Sequence, residues 1–390
     1  MLLESPGGLM RIGMLVRRFD PAGGGTERDF ASSARCLSRV GHEVRIYAAR
    51  AHAESWQDMT VRRLPVPVFP RSLQVLGFGL LADRFARRDG AELTISFGRT
   101  VDSDLIRCEG GAHAAYLEAA RQWESRATLA ARSLSPYHAA QCRMEASGFR
   151  SSRLKMVIAI SRLVGDDLER RFAIPHSKIK VLYNGVDCER FQNAANPTVR
   201  EEVRGRFGIG PSDRMVLFIG HGFGRKGLGK LIEAWPMADA NAYLIVAGED
   251  HGSAFYRRMA QRLGIEGRVI FLGKRNDISN LLAAADVAAL PSLFEAFGNV
   301  VLEGMAAGLP VLTSARCGAA EVLPAQMKPF VVQNPMDPAD IARCLNALLA
   351  APRELGAIMR AAAQQYTWEH FGDRMAALIA QIAGSRRDST

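Results

Sequence analysis

The chain has 390 residues, 48% of them hydrophobic and 23% charged, which is enough for two globular domains. Six cysteines form no CxxC pair and no His/Cys cluster of zinc-like spacing, and are expected to be reduced, buried thiols of a cytosolic protein. The net charge is +10, and most of it lies in the first 190 residues, which hold 29 Lys and Arg against 21 Asp and Glu. Such an excess points to an anionic partner.

The opening "MLLESPGGLM" has neither the basic start nor the apolar run of a signal peptide, so residues 1–9 are expected to be a leader outside the fold. No run of 18 apolar residues follows. From Arg11, "RIGMLVRRF" reads as a strand, "PAGGGTE" as its turn, and "RDFASSARCLSRVG" as an amphipathic helix closed by glycine. "HEVRIYAA" returns as a strand, which makes a parallel βαβ unit. "ELTISFG" and "MVIAIS" read as further buried strands, with a helical, Arg-rich stretch over 114–150 between them. "KIKVLYNGVD" is a short strand and a turn. A second series then starts afresh with "RMVLFIG", the helix "LGKLIEAW", and the strands "AYLIVAGE", "RVIFLG", "VAALPS", "PVLTS" and "PFVV". The expected fold is α/β: two Rossmann-like parallel-sheet domains facing across a cleft. The first spans 10–187 and is completed by a terminal helix at 368–384; the second spans 188–367. Ligands of such domains sit beyond the carboxyl ends of the strands.

Two loops there carry charges suited to chemistry. In "GHGFGRKGLGKLIEAW", Arg225 and Lys226 stand where a helix begins, and could neutralise a diphosphate. The loop lacks the Walker A pattern, which disfavours ATP hydrolysis. In "LFEAFGNVVLEGMAAG", Glu295 lies in the loop after a strand, and Gly298 and Asn299 at a helix start. Glu303 falls in that helix's first turns, where a carboxylate suits the dipole and can accept hydrogen bonds from a vicinal diol. "GGGTER" lacks the G-x-G-x-x-G spacing of dinucleotide oxidoreductases. "DSD" at 102–104 has the letters of a metal-binding pair, but no metal site is expected, because the cationic pair supplies the charge a metal would.

A basic pair at one helix start, followed some seventy residues later by E-x7-E, resembles the retaining GT-B glycosyltransferases of the GT4 family. "YNGVD" (183–187) is similar to that family's hinge, "GLPVLTSARCGAAEVL" (308–323) to its next strand and turn, and "YTWEHFGDRMAALIAQI" (366–382) to its terminal helix. "GGTERDF" and "FGRKG" resemble the lipopolysaccharide-core glucosyltransferases within it. The resemblance implies a nucleotide sugar, UDP-glucose, as substrate, with no further cofactor. Glu303 would bind the ribose, Glu295 the donor sugar, and Arg225 with Lys226 the diphosphate. Backbone near Phe297, Gly298, Asn299 and Val300 would complete the cradle, and Gly24 and Gly25 would close on the phosphate. His113 would approach the sugar hydroxyls and Arg275 the base. Asp29 would either orient the acceptor or cap its helix.

The implied acceptor is an anionic glycolipid, an inner-core heptose. The implied location is the cytoplasmic face of the membrane, held peripherally. Residues 113–155 carry seven Arg or Lys and three acids, with Tyr116, Trp123, Tyr137 and Phe149 among them, a composition suited to an anionic membrane surface. "SLQVLGFGLLADRFARR" (72–88) is a second amphipathic candidate. Another GT4 activity, mannosyl or N-acetylglucosaminyl transfer, is the alternative. Nucleic acid is not an expected partner, since a basic nucleic-acid binder needs neither Rossmann unit.

Overall fold

The computed structural model describes residues 9–51, 53–351 and 354–387. The leader expected over residues 1–9 lies, apart from an exposed Leu9, outside the described residues. The chain divides into two compact units: Met1–Arg121 with Ser125–Gly185 and Trp368–Thr390, and Gln122–Glu124 with Val186–Thr367.

The first unit is built on eight strands: β1 (Arg11–Phe19), β2 (Glu43–Ala51), β3 (Ser55–Trp56), β4 (Met59–Arg63), β5 (Leu93–Ser96), β6 (Leu105–Cys108), β7 (Met156–Ala159) and β8 (Ile179–Val181). Their order is β3-β4-β2-β1-β5-β6-β7-β8, and among the described residues only β3 and β4 pair antiparallel. β4, β5, β6 and β7 are short, and β5, β6 and β7 are buried along their whole length, as expected of a sheet covered on both faces. Helices α1 (Gly25–Arg39) and α2 (Arg71–Arg88) pack on its strands, while α3 (His113–Ala119) and α4 (Arg126–Ser133) pack on α5 (Pro136–Phe149), which packs on α2. The terminal helix Trp368–Arg387 places Phe371, Met375, Ile379 and Ile382 in one core with Phe30 and Leu37 of α1.

The second unit has five parallel strands, β9 (Arg214–Ile219), β10 (Ala242–Ala247), β11 (Val269–Gly273), β12 (Val287–Leu290) and β13 (Val311–Thr313), in the order β11-β10-β9-β12-β13. Both sheets reverse their strand order beside the first strand of the unit. In the first unit β1 lies between β2 and β5; in the second β9 lies between β10 and β12. The crevices at these switch points are where doubly wound sheets take ligands.

Two expectations about elements need correction. The first helix begins at Gly25, not after Glu27, because the extended backbone of Gly24 caps it and Glu27 suits its first turn. "PFVV" is not a strand: a 3-10 helix runs over Ala325–Phe330 and Val332 makes only an isolated bridge to Ser314. Pro329 has no N–H to give to a ladder.

Candidate functional site

In the second unit, the loop after β9 carries Arg225 and Lys226, and the loop after β12 carries Glu295. Because β9 and β12 are neighbours in the sheet, the two loops flank one crevice. Glu295 Oε2 lies 2.6 Å from Arg225 Nη1 and 3.0 Å from Lys226 Nζ. The loops are also joined through backbone: Leu293 N–H donates to Arg225 O at 2.8 Å, and Arg225 Nη1 donates to Phe294 O at 3.2 Å. Burial opposes ionisation of Glu295, but the charges of Lys226 and Arg225 hold its carboxyl down to about 2. One carboxylate facing two cations leaves one positive charge over, in a site where only about an eighth of the Glu295 and Lys226 side chains is exposed.

Glycine makes this approach possible at two places. Gly227 has φ +79°, and a Cβ there would meet Pro291 O at 2.0 Å. Gly298 has φ +96°, and a Cβ there would meet Cys317 Sγ at 2.8 Å. Gly298 caps the helix Asn299–Ala306, whose positive end faces the same crevice as the loop bearing Glu295. The loop after β13 backs this arrangement. Cys317 Sγ donates to Phe297 O at 2.9 Å, Ala319 N–H donates to it at 2.8 Å, and Gly318 N–H donates to Glu295 O at 3.0 Å. The side chains of Phe297 and Val300 are buried, so only their backbone can face a ligand. Asn299 and Glu303 are half-buried on the first turns of that helix. Arg275 follows β11 and is paired with Asp277, at 2.6 Å between Nη2 and Oδ2.

The first unit holds a cavity of about 270 Å³ beyond the carboxyl ends of β1, β5 and β6. Arg17, Arg18, Arg99 and Arg107 line it, with Glu27, Glu109 and Glu145 among them. Gly24 and Gly25 open α1 on the same switch point. Arg107 is fully buried: it pairs with Glu109, donates to Asn184 Oδ1, and lies 4.6 Å from the Phe371 ring centroid. Its Nη1 has no hydrogen-bond partner among the described residues.

Asp29 is neither a helix cap nor a lining residue of this cavity. It lies inside α1, buried, and accepts from Asn184 Nδ2 at 3.0 Å. The capping alternative is therefore withdrawn. His113 opens α3, and its backbone N–H donates to both carboxylate oxygens of Glu145, at 2.9 and 3.1 Å. Burial, then the positive charges of Arg99 and its neighbours, push the His113 imidazole down to about 3. Asp104, the second acid of "DSD", is used structurally. It is buried and accepts from Thr94 N–H and Arg87 Nη2, each at 2.9 Å. Among the described residues no cluster of three or more His, Cys, Asp or Glu could hold a metal ion.

Of the aromatic residues of 113–155, Tyr116, Trp123 and Tyr137 are half-buried and Phe149 is buried. Phe149 is buried against Phe172, while Tyr116 and Tyr137 pack around His113 and His138. The candidate helix at 72–88 packs against β1 and β2 through Phe78, Ala82 and Ala86, and against α5 through Val75. Leu73 and Leu80 of this helix are exposed, as are Val68 and Phe69 just before it in the chain, the latter 84% exposed. No helix among the described residues is long and apolar enough to cross a membrane.

Arg107, Glu145 and His138 belong to no motif of the sequence, and Asn184 and Cys317 lie in "YNGVD" and "GLPVLTSARCGAAEVL" with no side-chain role expected of them. A signal existed for α5, where Tyr137, Gln141 and Glu145 recur at helical spacing on one face.

Residues 23–190 match the family described as Glycosyltransferase Family 4, and residues 199–366 match Glycosyl transferases group 1. The chain is 26% identical over 304 residues to the lipopolysaccharide glucosyltransferase WaaG of Escherichia coli strain K12, a match covering 77% of this chain and 79% of that one. The crystal structure of WaaG is similar with a TM-score of 0.77 at 24% identity, covering 94% of this chain and 99% of that one. A D-inositol 3-phosphate glycosyltransferase of Mycolicibacterium smegmatis is 32% identical over 222 residues, 54% of this chain and 49% of its own length. Anabaena Alr3699/HepE in complex with UDP-glucose is similar with a TM-score of 0.71 at 18% identity, covering 95% of this chain and all of that one. At these identities the two structural likenesses bear on the fold, which is GT-B.

Proposed function

Because the chain belongs to the glycosyltransferases, with a family 4 domain followed by a group 1 domain, we propose that it moves glucose from UDP-glucose to a heptose hydroxyl of the lipopolysaccharide inner core, with retention of configuration. The observation that carries this reading is the cluster of Glu295, Arg225 and Lys226 at the switch point of the second sheet. Its excess positive charge suits a diphosphate, and its carboxylate suits sugar hydroxyls. The lipopolysaccharide and UDP-glucose assignments draw on WaaG and on the UDP-glucose complex of HepE.

In this reading Glu303 accepts hydrogen bonds from both ribose hydroxyls. Arg225 and Lys226 hold the diphosphate and stabilise the charge that grows on it as it leaves. Backbone of Phe297, Gly298, Asn299 and Val300 orients the sugar and phosphate, and Arg275 flanks the base. Gly24 and Gly25, at the start of α1, offer backbone N–H groups to phosphate. His113 donates to a sugar hydroxyl. Asp29 acts as a positioning residue through Asn184. The bond from the anomeric carbon to the phosphate oxygen breaks, and the acceptor oxygen bonds to that carbon on the same face. The leaving phosphate takes the acceptor's proton, so no protein base is needed, and the two cations supply the charge that a metal ion would.

The acceptor heptose occupies the arginine-lined cavity of the first unit. A peripheral seat on the cytoplasmic membrane face rests on Phe69, Leu73 and Leu80, exposed beside the basic first unit. The same four arginines also favour a second reading, a small phosphorylated acceptor, which is the kind named for the inositol phosphate relative.

Calorimetry with UDP-glucose, GDP-mannose and UDP-N-acetylglucosamine, repeated on Glu303→Ala, tests the donor assignment. Selective UDP-glucose binding that the substitution abolishes supports it. Preference for another donor replaces glucose, and the absence of any binding removes the donor site.

A further inference from the structure

Two histidines of the first unit stand in direct contact. His113 Nε2 and His138 Nδ1 are 2.9 Å apart, and the rings stack with centroids at 5.1 Å and planes at 21°. A hydrogen bond of this kind needs one proton between two nitrogens, and geometry decides whose it is. Arg132 Nη1 lies 3.3 Å from His138 Nε2. A guanidinium only donates and keeps its protons, so His138 Nε2 presents a lone pair. A neutral imidazole with a bare Nε2 carries its hydrogen on Nδ1. That hydrogen points at His113 Nε2, which must accept it. The proton of His113 is therefore left on Nδ1, where no hydrogen bond is made among the described residues.

Each member of the chain is held from a different element. Arg132 of α4 lies 5.5 Å from the Tyr116 ring centroid, and Tyr116 of α3 stacks on His113. His138 belongs to α5, and Glu145 of the same helix fixes the backbone of His113. The charged groups facing His113 are Arg132 of α4, Arg17 of β1, Arg99 of the loop after β5, and Glu145, which Arg99 itself pairs at 3.2 Å. Three cations against one engaged carboxylate keep a second proton off the ring. His113 is then a neutral donor, one that can hold a hydroxyl oxygen without adding charge near the reacting sugar.

We propose that Arg132 and His138 are positioning residues that lock His113 in its Nδ1–H tautomer, so that Nδ1–H donates to a hydroxyl of the reacting sugar. The inference rests on the reading of His113 as a sugar contact. It adds the path by which the fold selects one of the two neutral forms, and it names His138 and Arg132 as the residues that set donor strength without touching substrate.

The test is two-bond ¹H–¹⁵N spectroscopy of the full chain labelled at histidine, with assignments from His113→Gln and His138→Phe. At neutral pH, His113 should show a protonated Nδ1 and a bare Nε2. In His138→Phe it should move toward the Nε2–H form. His138→Asn, whose amide N–H can replace Nδ1–H, should restore the wild-type form. Transfer kcat should fall roughly ten- to a hundredfold in His138→Phe with donor KM within about twofold, and recover largely in His138→Asn. An Nε2–H signature for His113 in the wild type, or a tautomer unmoved by His138→Phe, overturns the relay. The expected tautomer together with full activity of His113→Gln overturns instead the placement of His113 at the sugar.

Discussion

The carboxylate of Glu295 lies 2.6 Å from the guanidinium of Arg225, although some seventy residues separate them in the chain. With Lys226 at 3.0 Å, the three groups leave one net positive charge at the mouth of the second sheet. Glu295→Gln removes the negative member and leaves both cations uncompensated. UDP should then bind more tightly, with a steeper loss of affinity as salt is raised, while transfer falls at least tenfold because the sugar loses a charged acceptor and one of its two oxygens. Titration of UDP at two ionic strengths checks the first part. Unchanged UDP affinity and salt dependence would mean that the carboxylate does not temper the phosphate site.

Gly298→Ala should destabilise the second unit by about 1–3 kcal/mol and lower donor affinity together. The position has φ +96°, and the added methyl would press on Cys317 Sγ. That thiol fixes the Phe297 carbonyl. Thermal unfolding with and without UDP measures both effects. A variant as stable as the parent would contradict the packing described.

The pH dependence of stability follows from His113. Its imidazole is held at about 3 in the folded chain, against an ordinary value of 6.5. Between these values the unfolded chain takes a proton that the folded chain refuses. Stability contributed by the neutral ring is therefore complete above about 6.5 and is eroded progressively as pH falls toward 3. Denaturant titrations at pH 7.5 and pH 5 should show a loss that is smaller in His113→Gln. For the same reason the rate of transfer should show no acid limb near 6.5 due to this residue.

Asn184→Ala should cost roughly 2–4 kcal/mol, more than an exposed amide would. It leaves Asp29 and Arg107 buried without the amide that joins them. Asn184→Leu should cost a similar amount despite filling the volume, since it restores no hydrogen bond. Equal stability of both variants and the parent would show that the network is dispensable.

Much of this was legible in the chain itself. The strands after Met10 and Arg214 show as apolar runs ended by glycine, and the loops that follow them hold the charged residues. What periodicity does not convey is strand order. Arg225 and Glu295 meet because β12 inserts beside β9, a fact of topology. Arg107 escapes notice because a buried arginine inside the strand "LIRC" becomes favourable only when Glu109, Asn184 and Phe371 surround it, and those partners come from distant segments. His138 reads as a lone histidine until α5 turns it toward His113. "PFVV" shows the opposite failure, where apolar composition outweighed a proline that cannot join a ladder. Phe149 is buried for a related reason: composition does not say which side of a helix faces solvent.

The most direct measurement is to incubate the purified chain with UDP-glucose and a glucose-free lipopolysaccharide inner core, and to follow UDP release and the anomeric configuration of the product by NMR. The account predicts acceptor-dependent UDP release and an α-linked glucose on heptose, both lost in Glu303→Ala. A β-linked product would contradict retention, and no transfer from UDP-glucose alongside transfer from another nucleotide sugar or to another acceptor would contradict the glucosyltransferase assignment.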